Sequence, residues 1–203
     1  MNNIIRTASP VFMIDFYKYW GKQFDSLKRT NTALGRRTQF NWYTHNGQRV
    51  NQILLPLLQN MTQFHCSFCD IKEVEEGVNE PTIEHFRPSS RYPLLSHFWH
   101  NLFLCCYSCQ KSKMDEFDKN LLKPDKLDYS FDDYFIIDWA SGDLIEKHQA
   151  PDIRYEKARV TIELYGLNKI ARSKARLREL KHYNNDVNPV LDEYSYRFFI
   201  TRG

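Results

Sequence analysis

The 203-residue sequence predicts an α+β fold, a small β core pinned by a four-cysteine zinc knuckle and wrapped by N- and C-terminal helices. Three observations predict it. Two Cys-x-x-Cys pairs bracket an insert of 36 residues, short β-prone runs lie inside that insert, and apolar residues recur at helical spacing around it. The corresponding division is an N-terminal helical region at 1–64, a core at 65–120, and a hairpin followed by helices at 121–203.

The elements follow in order. Leu54, Leu57, Leu58, Met61 and Phe64 recur at helical spacing, which predicts an amphipathic helix ending just before Cys66, with Pro56 as a kink or early-turn residue. Residues 81–86 (PTIEHF) and 101–105 (NLFLC) are short β-prone runs, separated by a turn-rich stretch containing Pro88, Ser89, Ser90 and Pro93. Helix resumes near Gln110. Residues 135–139 and 143–146 flank Ala140-Ser141-Gly142 and predict a hairpin. Two helices follow, 155–165 stopped by Gly166 and about 169–183 opened by Asn168 as N-cap.

With 42% apolar and 15% aromatic residues, the chain can bury one substantial core. The opening MNNIIRTASPVFMIDF lacks a basic segment followed by an uninterrupted apolar one, and the longest aliphatic run, 53–58, contains Pro56. Neither secretion nor membrane insertion is expected, and the cytoplasm is the expected compartment. Net charge of +3 is too small to imply a nucleic-acid partner, but its distribution is uneven. Residues 18–49 carry seven basic side chains against Asp25, and 152–182 carry nine Lys and Arg against four carboxylates. Between them, 114–151 holds ten carboxylates and four lysines. Basic flanks of this kind suit either a phosphate backbone or an ordinary solvated helix face. The aromatic N-terminal residues Phe16, Tyr17, Tyr19, Trp20, Trp42 and Tyr43 are candidates for core or for a docking surface.

Cys66, Cys69, Cys106 and Cys109 carry the strongest signal, because two Cys-x-x-Cys turns let four thiolates converge on one Zn²⁺. The insert exceeds the roughly 15–20 residues of a simple ribbon, so it is the place to look for chemistry. Cys105 is expected to be a buried small apolar residue rather than a ligand. Inside the insert stand Glu84-His85 and Asn101, and Gln110-Lys111-Ser112-Lys113 follows the last cysteine. Phosphodiester hydrolysis needs a base for the attacking water and a cation for the phosphate charge, which a His beside a Glu can supply at a strand end. His97 and His100 are alternative ligands, with an anchoring role favoured by neighbouring Phe98 and Trp99.

The order CSFC, TIEHFRPSSRYP, FWHNLFLCCYSCQKSK resembles the HNH nuclease family, specifically its retron and Septu type. The resemblance covers 66–113, and VTIELYGLN at 160–168 is similar to that type's C-terminal helices. It implies a ββα-metal (His-Me finger) core in which His85 is the general base and Glu84 a ligand of the catalytic metal. Asn101 would brace the loop and orient His85, and the third motif position, usually His or Asn, falls at Gln110. A Gln carbonyl suits Mg²⁺ or Mn²⁺ better than a transition metal. Arg87 and Lys113 would clamp flanking phosphates, their alternative being plain surface charge or helix support. The resemblance further implies a nucleic-acid substrate, with DNA favoured over RNA but neither read from the sequence, and an anti-phage complex with an ABC-type ATPase. In some systems of this type a retron reverse transcriptase and its RNA-DNA product join. Against this stand a non-catalytic zinc module that binds nucleic acid and a structural adaptor for the ATPase.

Overall fold

The computed structural model describes residues 1–72 and 81–203. The chain opens on helix α1 (Val11–Ala33), whose buried Met13, Trp20, Gly21 and Phe24 form one stripe. Gly21 lies against a 3₁₀ turn at Pro93–Leu95, where a Cβ would stand 2.8 Å from the Leu94 carbonyl oxygen. Only glycine allows helix and turn to meet this closely. A two-residue hairpin follows, β1 (Thr44–His45) and β2 (Gln48–Arg49), closed by Asn46 and Gly47 with φ of 49° and 78°. Asn-Gly is the pair that such a left-handed turn favours.

Helix α2 (Val50–Thr62) buries Val50, Leu54, Leu58 and Thr62, one residue per turn. It begins earlier than the apolar periodicity predicts, which makes Pro56 an interior residue. Pro56 lies on the exposed side of the helix, as does Gln52, whose carbonyl loses its i→i−4 donor to the proline. Beyond the knuckle, β3 (Pro81–His85) pairs antiparallel with β4 (Leu102–Cys106), with Ile83 opposite Leu104, Glu84 opposite Phe103 and His85 opposite Leu102. Helix α3 (Tyr107–Lys113) follows without a loop and packs on both strands. All of β4 is buried, since α2 and α3 both lie against it.

Strands β5 (Phe135–Asp138) and β6 (Asp143–Glu146) form the expected hairpin. Helix α4 (Ile153–Tyr165) is capped by Asp152, which accepts from the Arg154 amide, and ends at left-handed Gly166 as predicted. Helix α5 (Ile170–Asn185) differs from expectation at its start. Lys169 holds the cap position, while Asn168 clasps the β6 backbone, its Oδ1 accepting from Leu144 N at 2.9 Å and its Nδ2 donating to Leu144 O at 2.7 Å. The amide side chain satisfies two backbone groups of the hairpin there, which outcompetes capping one helix donor. A short helix α6 (Arg197–Ile200) closes the chain. One apolar cluster runs through all three regions, from Met1 and Trp20 through Phe68 and Phe103 to Phe199. Among the described residues no helix is long and apolar enough to cross a membrane.

Candidate metal centre and the Glu84-His85 strand end

The end of α2 and the end of β4 deliver the two cysteine pairs to one point. Cys66 and Cys69 lie in a tight loop in which Asp70 N donates to Cys66 O and Ser67 N donates to Leu104 O, tying the loop to β4. Cys106 closes β4 and Cys109 sits in the first turns of α3. Their four Sγ atoms all lie within 4.8 Å of one another, and Cys69 and Cys106 are 3.7 Å apart. Tetrahedral coordination with Zn–S bonds of about 2.3 Å separates sulfurs by about 3.8 Å, so the four buried thiols are set to bind a metal ion. Cys106 N also donates to Cys66 Sγ at 3.4 Å, the kind of N–H···S bond that supports a thiolate ligand. Cys105 stays outside the group, its thiol pushed up by burial.

The surroundings fit an anionic cluster. Arg172 is buried in α5, and although burial opposes its charge, the pull of Cys109, Cys69, Cys106 and Cys66 raises its pKa. Arg176, one turn on, is also buried and donates to the Gly142 and Leu167 carbonyls. A four-thiolate zinc centre carries two net negative charges, and two guanidinium groups in the same core offset them. Part of the basic excess of α5 therefore faces inward rather than toward a solvated phosphate chain.

At the far end of β3, Glu84 is buried and its Oε1 lies 2.6 Å from Lys113 Nζ. Burial pushes the Glu84 carboxyl up to about 7, against the opposing pull of Lys113 and a hydrogen bond from Gln110. Gln110 Nε2 also reaches Ile83 O at 3.3 Å, so α3 brings Gln110 and Lys113 onto the same carboxylate. Lys113, expected to clamp a phosphate, is instead fully buried, donating to Glu84 and to His85 O at 3.1 Å. Its position four residues after Cys109 turns it toward β3 on a helix already fixed by the knuckle.

His85 Nε2 stands 2.8 Å from the Ser96 carbonyl. A carbonyl only accepts, so Nε2 carries the proton and Nδ1 is left as the basic nitrogen. Burial holds the ring neutral, with its pKa down at about 4. Trp42 stacks on this ring at 5.5 Å and Phe40 meets it edge-on at 4.8 Å, so the N-terminal segment covers the imidazole. Asn101 clasps the intervening loop: its Oδ1 accepts from Arg87 N at 2.8 Å, and its Nδ2 donates to Arg87 O at 3.0 Å and Leu95 O at 3.1 Å. Arg87 is exposed, its guanidinium over Tyr92 and Phe117.

His97 is fully buried among Trp20, Phe40, Trp42 and Tyr43, an anchor rather than a ligand, while His100 is exposed. The N-terminal aromatics divide the same way: Trp20 is core, Trp42 and Tyr43 pack partly buried against it, and Phe16 and Tyr19 remain exposed. Sequence reasoning missed the Trp42 and Phe40 cover, the Ser96 carbonyl, and Arg6, which donates to the Trp99 and Leu102 carbonyls and pairs with Asp125. These contacts join segments more than forty residues apart, or run through main chain, and neither periodicity nor spacing signals them. No protein-family model matches the chain, and no curated protein is significantly similar to it.

Proposed function

We propose that the chain is a metal-dependent HNH-type nuclease, with β3, β4 and α3 as its ββα-metal core and zinc on the four cysteines. The observation that carries this reading is the Asn101 clasp, because it fixes the loop whose Ser96 carbonyl selects the His85 tautomer. His85 Nδ1 would take the proton from a water attacking phosphorus in line. Glu84 is an oxygen donor of the kind Mg²⁺ or Mn²⁺ takes, and Gln110, whose Nε2 donates to Glu84 and Ile83 O in the structure, would have to flip its amide to add a second; such an ion, when bound, would stabilise charge on the phosphate and leaving oxygen. Lys113 pairs with Glu84 in the structure, and a catalytic cation on Glu84 would have to take its place. Arg87 meets a flanking phosphate. DNA is the substrate we favour. The motif resemblance extends the proposal to an anti-phage complex of Septu or retron type, with an ABC-type ATPase and, in the retron case, a reverse transcriptase with its RNA-DNA; co-purification with the ATPase tests that part.

The chemistry is tested with His85→Ala in the full chain, on supercoiled DNA with Mg²⁺. The variant retains its zinc and a cooperative melt, at a temperature lowered by the loss of the ring under Trp42, and loses cleavage by about 10²-fold or more, the usual contribution of a general base. Undiminished cleavage refutes the assignment. A second reading, a zinc-containing nucleic-acid-binding or ATPase-adaptor module without catalysis, is favoured by the Glu84–Lys113 ion pair and the aromatic cover over His85. DNA binding by the wild-type chain with no cleavage at any Mg²⁺ or Mn²⁺ concentration selects it.

A further inference from the structure

We infer that the chain carries a nucleotide-binding pocket, an aromatic wall with a cationic rim, on the side of the Asn101 loop formed with residues 117–134. The cavity measures about 530 Å³, within the ~300–1,000 Å³ typical of small-molecule sites. Phe86, the residue after His85, forms part of its wall with Phe98, Phe117 and Tyr134. Tyr134 is held flat against Tyr129, with ring centroids 5.9 Å apart and planes 10° from parallel. Arg87 stands over Phe117 at 5.5 Å and Lys157 over Tyr134 at 6.0 Å, so a base stacking on this wall would take the place of these cations over the rings and leave them to its phosphate.

The rim is cationic. Arg87, Lys119, Lys126 and Lys157 line the cavity, and among the described residues none of them pairs with a carboxylate. Asp128 is the one acid of the lining. Lys123, also in the lining, is bound at 3.0 Å to Asp125, whose other partner is Arg6 at 2.9 Å, so that carboxylate already faces two cations. Three of the four lysines from the acidic stretch 114–151 thus converge here. Carboxylates of the same stretch are drawn off elsewhere, Glu116 to Arg91 and Asp132 to Arg202. The surplus positive charge is a product of the fold, not of composition.

The two halves of the pocket specify one ligand chemistry. Inorganic phosphate leaves the aromatic wall unused, and an apolar ligand leaves the rim cations without an anion; a phosphate joined to an aromatic base satisfies both. A free nucleotide and a nucleotide unit of a single strand share that chemistry. The pocket does not depend on the nuclease reading, because binding needs neither His85 nor a catalytic metal.

The test is calorimetric titration of the full chain, without added magnesium, using AMP, ribose 5-phosphate and a short oligothymidylate. AMP or the oligonucleotide binds more tightly than ribose 5-phosphate. Affinity falls between about 50 and 200 mM salt, and the double variant Lys119→Glu, Lys126→Glu weakens it about tenfold or more. Both lysines are exposed, and an unchanged melting temperature verifies the fold of the variant. Preference for the oligonucleotide over AMP identifies a strand as the source, and the reverse identifies a free nucleotide. Equal binding of ribose 5-phosphate, no binding of either ligand, or indifference to the charge reversal overturns the pocket. A chain that binds and never cleaves upholds the pocket while removing the nuclease assignment.

Discussion

His97 shows how a titratable side chain in this core acts as a ballast on stability. Its Nδ1 meets Ser96 Oγ at 3.0 Å, and its Nε2 is buried with no partner among the described residues. Burial, with a smaller contribution from His85, depresses its pKa from 6.5 to about 3. The folded chain therefore refuses a proton that the unfolded chain accepts. Stability from this group is complete above pH 6.5 and is lost as pH falls through the window toward about 3. Between pH 7 and about pH 4 the loss amounts to about 3 kcal/mol. Denaturant melts across this range should fall less steeply for His97→Gln than for wild type, and equal slopes would dismiss the account. At this scale the four-cysteine cluster was legible, because a two-residue gap forces two sulfurs to one side of a turn. Lys113 was not, because whether a lysine faces solvent or a carboxylate 29 residues upstream depends on the roll of α3 about its axis.

Among the elements, α1 and the turn at Pro93–Leu95 are held in contact by a missing side chain. Gly21→Ala places a methyl against the Leu94 backbone, which cannot yield as a flexible side chain does. Although alanine favours helix by about 1 kcal/mol over glycine, overpacking costs about 1–3 kcal/mol, so the expected net change is destabilising. A thermal melt of Gly21→Ala at or above the wild-type temperature would show that the turn gives way freely. The helices α2 and α4 were legible from apolar period and from Gly166, and the β3, β4 and β5, β6 pairs from their turn-rich separators. The start of α5 was misplaced because Asn168 found a better use on β6. The β1, β2 hairpin went unpredicted although Asn46-Gly47 marks it, since strands of two residues have no alternation to read.

At the scale of the molecule, the cysteine cluster joins α2, β4 and α3, and its removal should not be a local event. An ion on four thiolates contributes on the order of 10 kcal/mol of apparent folding free energy, as much as a typical domain's whole stability of about 5–15 kcal/mol. Chelation is therefore expected to abolish the cooperative melt and the near-ultraviolet dichroism of the buried aromatics, both restored by Zn²⁺. A chelated chain that melts unchanged would leave the cluster as four packed thiols. Neither the buried arginines beside it nor the cationic pocket could be read from charge counts, because the same lysine-poor, acid-rich stretch supplies most of the pocket's rim.

The seat of α1 has a mechanical consequence. The helix is 23 residues long, about 35 Å at 1.5 Å per residue, and it bears on the 93–95 turn near its midpoint. Leu95 is tied to Asn101, and the next carbonyl along, that of Ser96, holds the imidazole. The rod thus rests on the same loop that tethers the histidine, one residue from the carbonyl that accepts from its Nε2.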